Sequence, residues 1–309
     1  MVVIEVNLTI IETGMALTFT KIVITLRLQR DIRGRYAFFN LKNGFESVFR
    51  QNINCCQTSC YGCRSGEECC HPGIFSQSLS ADPLALKRYQ KPSLPFVFHI
   101  PLVPDLPNKG MTVEVEVVLI GSAAEYYQHF IHCVSSVYSG FAALVKAESE
   151  DYMGNRYLIM GELGELHHDR LFLFSAEELQ NNCQHISGMI EVTFVTPVIL
   201  LRQGHAMREM SFSTFVRALF RRISSLAYYY GGVEMNCDFK WLVEQSCHVE
   251  TIESELAWTE WKVATPGARL SGIMAELLFP EIWISFIRFY CLVSISILEK
   301  GHPLAVAGI

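Results

Sequence analysis

TVEVEVVLIGSAAEYYQHFIHCVSSVY, residues 112–138, is the stretch on which the fold turns. Val113, Val115 and Val117 alternate with Glu114 and Glu116. That is the period of two expected of a strand with one buried face. At Gly121 the period changes, and from Ala123 to Tyr138 apolar residues recur every three or four positions, as on an amphipathic helix. On the amino-terminal side, Phe96 to Ile100 reads as a strand. Tyr36 to Arg50 reads as a helix with Phe38, Leu41, Phe45 and Phe49 on one face, and Leu17 to Leu26 as a first strand. On the other side, Arg156 to Leu163 and Leu171 to Phe174 are expected to close this half as strands.

The second half repeats the order. Met189 to Leu201 is a predicted strand that contains Pro197, which places it at an edge or in a bulge. A long helix from Phe212 to Tyr230 follows. Leu256 to Ala264 and Gly272 to Phe279 form a strand pair around Pro266-Gly267, then come a helix over Glu281 to Tyr290 and a strand over Val293 to Leu298. The predicted class is therefore α+β, with two tandem ferredoxin-like (RRM-like) β-α-β-β-α-β domains. Residues 1–185 form the first, with a cysteine-rich insertion, and residues 186–309 the second.

The 309 residues are 50% hydrophobic, which excludes a disordered chain. A net charge of −6 excludes a uniformly basic nucleic-acid binder and leaves room for a local basic face. The opening MVVIEVNLTIIETGM has no basic lead and no cleavage site, so it does not read as a signal peptide. Ile282 to Leu298 is apolar but short and interrupted by Arg288, so a buried helix and strand are expected in place of a membrane span. The 11 cysteines without an export signal point to the cytoplasm.

Two basic clusters stand out in this acidic chain. One is Arg27, Arg30, Arg33, Arg35, Lys42 and Arg50; the other is Arg202, Arg208, Arg217, Arg221 and Arg222. Each is either a solvated face balanced by acidic runs such as Glu148 to Asp151 and Glu250 to Glu260, or a set of guanidinium forks for phosphates. Cys55, Cys56, Cys60, Cys63, Cys69 and Cys70 precede His71, and Cys60 and Cys63 form a C-x-x-C. Cys56, Cys60, Cys63 and Cys69 are the candidate ligands of a structural zinc; reduced thiols are the alternative. His167-His168-Asp169 reads as a surface loop, and His129 and His132 as packing on a helix face. Tyr228, Tyr229 and Tyr230 either stack bases or close the packed face of their helix.

Taken in order, several segments resemble the RAMP superfamily of CRISPR-associated proteins, and within it the repeat-processing endoribonuclease family. They are IRGRYAFF at 32–39, CYGCRSGEEC at 60–69 with Ile74-Phe75, and Pro95 to Phe98. VVLIGSAAEYYQHFIHCV at 117–134, TFVTPVILLRQG at 193–204 and FVRALFRRISSLAYYYGG at 215–232 follow, then LAWTEWKV at 256–263 and SGIMAELLF at 271–279. The resemblance implies recognition of CRISPR repeat RNA or crRNA, with other CRISPR-associated effector subunits as partners and no membrane. It also implies metal-independent attack of a ribose 2′-hydroxyl, with no cofactor for catalysis. The alternative is a non-catalytic crRNA-binding subunit of an effector complex. RNA-binding residues expected on this basis are Arg33, Arg35, Arg202, Arg217, Arg221, Arg222, Lys300 and His302. The tail departs from the family's glycine-rich loop: Ala305 and Ala307 stand where glycine is expected. The family's histidine near the first helix is also missing, since none precedes His71. Tyr36 and Lys42 are the remaining catalytic candidates there.

Overall fold

The computed structural model describes residues 9–10, 17–53, 69–88, 92–178, 190–202, 205–236, 238–262, 269–279, 298–299 and 302–303. Its centre is strand β1 (Thr18–Leu28), followed by a 3-10 turn (Ala37–Asn40) and helix α1 (Leu41–Asn52). Short helices α2 (Cys70–Phe75) and α3 (Pro83–Arg88) lead to β2 (Phe96–His99), β3 (Thr112–Ile120), α4 (Tyr127–Tyr138), β4 (Ala142–Glu150) and β5 (Arg156–Met160). The sheet order is β2-β3-β1-β4-β5, and every neighbouring pair is antiparallel. Its first four members run second, third, first, fourth, which is the ferredoxin-like arrangement. Ile22, Ile24, Leu26 and Leu28 on β1 and Val113, Val115, Val117 and Leu119 on β3 are buried in one core with Phe45 and Phe49 of α1 and Phe130, Ile131 and Val134 of α4. The valine–glutamate alternation of β3 thus puts valine under the helices and glutamate on the opposite face.

The fourth strand differs from the sequence expectation. It is Ala142–Glu150, and Arg156–Met160, expected in that role, pairs beside it as a fifth strand. AALVKAESE has few β-branched residues, and its charged positions are stabilised by cross-strand ion pairs that no local propensity reports. The short strand Phe174–Ser175 pairs with Thr18 and Phe19.

In the second half, β6 (Ile190–Val198), α5 (Phe212–Gly231), α6 (Phe239–Ser246), β7 (Glu253–Lys262) and β8 (Arg269–Phe279) follow, with sheet order β7-β8-β6. This is again second, third, first. The expected helix over 281–290 and nearly all of the expected last strand lie outside the described residues. β9 (Leu298–Glu299) and β10 (His302–Pro303) form a hairpin near the carboxyl end. Pro197 lies in a bulge: Phe194 pairs with Ala275 and Val198 with Ile273, so β6 carries two extra residues there.

Helix α5 starts at Ser211, whose hydroxyl accepts from the Thr214 amide at 3.3 Å, and stops at Gly232 in the left-handed region. Its buried face, Phe212, Phe215, Val216, Leu219, Phe220, Ile223 and Leu226, joins a core that also holds Leu17, Phe19, Val97, Val118 and Ile120 of the first half. The end of α5 meets the end of β3 at Gly121. That residue has φ +58, and a Cβ there would run into the Tyr230 carbonyl oxygen. Gly44, inside α1, has only Val137 at 3.9 Å beside the place a Cβ would take. Gly121→Ala is expected to cost about 2 kcal/mol or more, through backbone strain and displacement of α5. Gly44→Ala is expected to gain roughly 0.5–1 kcal/mol of helix propensity. Urea unfolding midpoints of the two variants should therefore move in opposite directions.

Candidate nucleic-acid interface

The basic loop after β1 is shaped by its backbone. Ile32 and Gly34 donate to the carbonyls of Pro107 and Asp105 at 3.2 and 3.0 Å, and Gly34 takes φ +99, a conformation that favours glycine. Arg30, Arg33 and Arg35 stand exposed on this loop. The Arg35 guanidinium reaches Asp105 at 3.6 Å with both side chains more than half exposed, an ion pair too wet to hold it away from a ligand. Arg217 and Arg221 are exposed one turn apart on α5. Arg222 is different. It is 6% exposed, and its charge bears on the buried Tyr230 phenol, so it belongs to the packing of the two halves and not to the outer surface expected for it. Arg208 lies over the Trp258 ring at 5.2 Å. Lys42 is in α1 and Arg202 in a short hairpin with His205–Ala206, with side chains outside the description; Lys300 lies outside the described residues.

Tyr36 has a packing role. Its ring stacks on Trp261 of β7 at 4.5 Å and 13°, and Trp261 meets Phe39 edge-on at 5.7 Å. Phe39 and Trp261 are buried, with Ile100 and Met274 around them. This aromatic clasp brings the Arg33–Arg35 loop up to the second sheet. β10, which carries His302, lies against β2 and β6. The tail hairpin and the basic loop therefore both approach the seam between the halves, whereas no described contact joins either to Arg217 and Arg221.

The first sheet also carries a charged face that the sequence reading missed. Lys21 bridges Glu116 at 3.1 Å and Glu150 at 2.7 Å, and Arg156 bridges Glu150 and Glu114 at 2.9 Å each. His99 Nδ1 meets Glu116 at 3.0 Å, while its Nε2 is shut from solvent with no hydrogen-bond partner. Burial alone would raise the Glu116 carboxyl, but the His99 hydrogen bond and the Lys21 ammonium outweigh it and bring it down to about 2. Burial likewise opposes the Lys21 charge, yet Glu116 and Glu150 raise its pKa above the ordinary value. The signal was in the sequence: Glu114 and Glu116 share a face by alternation, but only the strand pairing shows that Lys21, His99 and Glu150 meet them.

Of the zinc candidates, Cys56, Cys60 and Cys63 lie outside the described residues, and Cys69 is half-buried at the start of α2. Among the described residues no three histidine, cysteine or acidic side chains converge as metal ligands. His71 is buried, meets Glu46 at 3.1 Å and stacks on Phe75 at 4.8 Å. Burial, with Arg50 nearby, pushes its pKa down. Burial pushes the Cys133 thiol on α4 up to about 12. His168 Nδ1 lies 2.8 Å from the Tyr127 hydroxyl, and His129 packs edge-on against Phe49.

The family profile described as AF_1859_N, N-terminal domain, matches residues 17–144. No curated protein matches the chain. Among solved structures, it is similar to a partial Cas6-RT-Cas1–Cas2 complex, with TM-score 0.58 and 12% identity, covering 95% of this chain and 47% of that one. The chain thus spans about half the length of that relative. It is also similar to Thermus thermophilus Cas6, with TM-score 0.52 and 12% identity over 92% of this chain and 93% of that one. A Cas6 product complex gives TM-score 0.53 and 12% identity over 93% and 97%. The tandem ferredoxin-like fold expected from the sequence is the fold these structures share. No helix among the described residues is long and apolar enough to cross a membrane.

The pH dependence of stability should show the charged face. A carboxyl whose pKa falls on folding stabilises the protein above its unfolded value, near 4.5, and ceases to do so as pH drops through its folded value, about 2. Glu116 is expected to contribute on the order of 3 kcal/mol at neutral pH in this way. The stability gap between wild type and Glu116→Gln, measured by urea unfolding, should shrink between pH 4.5 and 2. A constant gap would contradict the assignment.

Proposed function

We propose that this chain is a cytoplasmic protein that binds the repeat portion of a CRISPR transcript or the crRNA made from it. The carrying observation is the tandem ferredoxin-like architecture, shared over nearly its whole length with Thermus thermophilus Cas6. On it, exposed arginines lie at the β1 loop and on α5. Phosphates meet Arg33 and Arg35 beside the seam, and Arg217 and Arg221 on the helix; Arg202, Lys300 and His302 are proposed to extend the basic track. The ion-paired sheet face, with Glu114, Glu116, Glu150 and the Lys146-paired Glu148, is left to protein–protein electrostatics, because phosphate gains nothing from cations already committed. The similar Cas6-RT-Cas1–Cas2 assembly supports further CRISPR-associated subunits as partners.

A second reading, that the protein also cuts the RNA, starts from the His99–Glu116 pair, whose unpartnered Nε2 is shut from solvent and would have to be uncovered by the bound RNA. Tyr36 remains a candidate where it stacks on Trp261, and Lys42 remains one in α1. Cleavage would join the 2′-oxygen to phosphorus and break the bond from phosphorus to the 5′-oxygen. A cyclic phosphate and a 5′-hydroxyl would result, without metal.

Labelled repeat RNA incubated in EDTA and run on native and denaturing gels tests both readings. Arg217→Glu with Arg221→Glu should weaken binding at least tenfold and reduce the slope of log affinity against log salt by about 2. Unchanged binding removes the α5 assignment. A cut that persists in His99→Ala removes His99 from the second reading, and a wild type that binds without cutting removes that reading altogether. We also propose a structural zinc held by Cys56, Cys60, Cys63 and Cys69. About one zinc per chain by elemental analysis, lost in Cys60→Ser with Cys63→Ser, is the expected result; absence of zinc from the wild type would remove it.

A further inference from the structure

Where α5 ends, an open cavity of about 450 Å³ lies between the two halves. Two tyrosines of α5 and the Ser78–Ser80 segment form its walls. The rings of Tyr228 and Tyr229 stand at right angles, 5.1 Å apart, and form a corner. Ser80, from the loop before α3, holds that corner open: its amide donates to the Tyr229 hydroxyl at 3.3 Å, and its hydroxyl shares a hydrogen bond with that of Tyr228 at 3.1 Å. Gly232 and the carboxylate-bearing Glu234 complete the lining on the α5 side.

The chemistry of this lining is selective. Among the described residues, no lysine or arginine contributes to it. Glu234 brings a carboxylate to the lining. A phosphate or carboxylate is disfavoured there, and a planar group with hydrogen-bond donors on its edge is favoured. Position narrows the class further. At 100° per residue, Arg217, Arg221, Ser224 and Tyr228 fall on one stripe of α5, and Tyr228 lies about 10 Å along the axis beyond Arg221. A strand whose phosphates pass the two exposed arginines is led to the tyrosine corner.

We infer that this cavity seats a single unstacked nucleobase carrying an exocyclic amine, guanine foremost, from the RNA strand that crosses Arg217 and Arg221. The inference rests on the RNA-binding reading. The base stacks on a tyrosine ring and donates to the Glu234 carboxylate, while its phosphate stays outside.

The test is affinity for single-stranded repeat RNA across a salt series, for wild type, Tyr228→Ala and Tyr228→Phe. Stacking on an aromatic is worth roughly a 5- to 100-fold change in affinity for one base. Tyr228→Ala is expected to lose that much with an unchanged salt slope, and Tyr228→Phe to keep affinity within about threefold. Should Tyr228→Ala fold poorly, saturation-transfer NMR with free guanosine and uridine on wild type and Glu234→Gln gives the same decision. Guanosine should contact the tyrosines in wild type and lose most of its signal in Glu234→Gln, with uridine weaker in both. Wild-type RNA binding with undiminished affinity in a folded Tyr228→Ala overturns the inference and leaves the RNA-binding reading standing. Failure of the wild type to bind RNA overturns both. Preference for arginine amide over guanosine overturns the inference in favour of a seat for a protein side chain.

Discussion

The two halves of this protein are held by one apolar core, and the rest of the arrangement follows from how that core divides the first sheet. Phe19, Val97, Val118 and Ile120 belong to the same buried cluster as the apolar face of α5. A few residues along the same strands, the face becomes Lys21, His99, Glu114 and Glu116. Burying the apolar end is worth roughly 1.5–3 kcal/mol per large side chain, and it fixes the second half against that end only. Gly121 is the tolerance in this joint: without a side chain, it lets the last carbonyls of α5 come down on the end of β3. The Tyr36–Trp261 stack then closes the far side of the seam, so the halves meet at two places with a charged stretch of sheet between them.

That division decides where an anionic polymer can lie. A ferredoxin-like sheet with an open face offers a natural surface for bases, but here the open stretch holds four glutamates knitted to Lys21, Lys146 and Arg156. A guanidinium already forked between two carboxylates, as Arg156 is, would have to give up both hydrogen bonds to receive a phosphate. Among the described residues, the exposed arginines of the β1 loop and of α5 carry no such commitment beyond the loose contact to Asp105. Charge is therefore segregated within a chain whose total is negative: acid in the sheet, base on loop and helix. The net charge of −6 excludes a uniformly basic binder and remains compatible with a local basic track.

Elements with a strong local period were readable from the sequence. The alternation of Thr112–Ile120, the apolar stripe of Phe212–Gly231 and the bulge at Pro197 each follow from residue type and spacing. The strand Ala142–Glu150 was not, because its alanines, lysine and glutamates have little intrinsic preference for a strand. Its stability comes from β1 on one side and β5 on the other, partners distant in sequence. The site divided in the same way. Exposure of Arg33, Arg35, Arg217 and Arg221 matched the expectation. Arg222 did not, since one residue is 100° around a helix and separates an outward from an inward side chain. The His99–Glu116 pair joins two strands at a single register position, and no spacing rule within one segment could have produced it.

That pair also bears on how the departures from the resembled family fit together. The first helix has no histidine, so an imidazole at the seam must come from another element, and β2 supplies one. Glu116 is held as a carboxylate far below neutrality, and it lies 3.0 Å from His99 Nδ1. The other ring nitrogen, Nε2, is shut from solvent. β10 lies against the same strand β2, in the part of the chain where alanines replace the expected glycines. What the surface offers an anion is therefore guanidinium, because the His99 nitrogen that Glu116 leaves over is closed off from solvent.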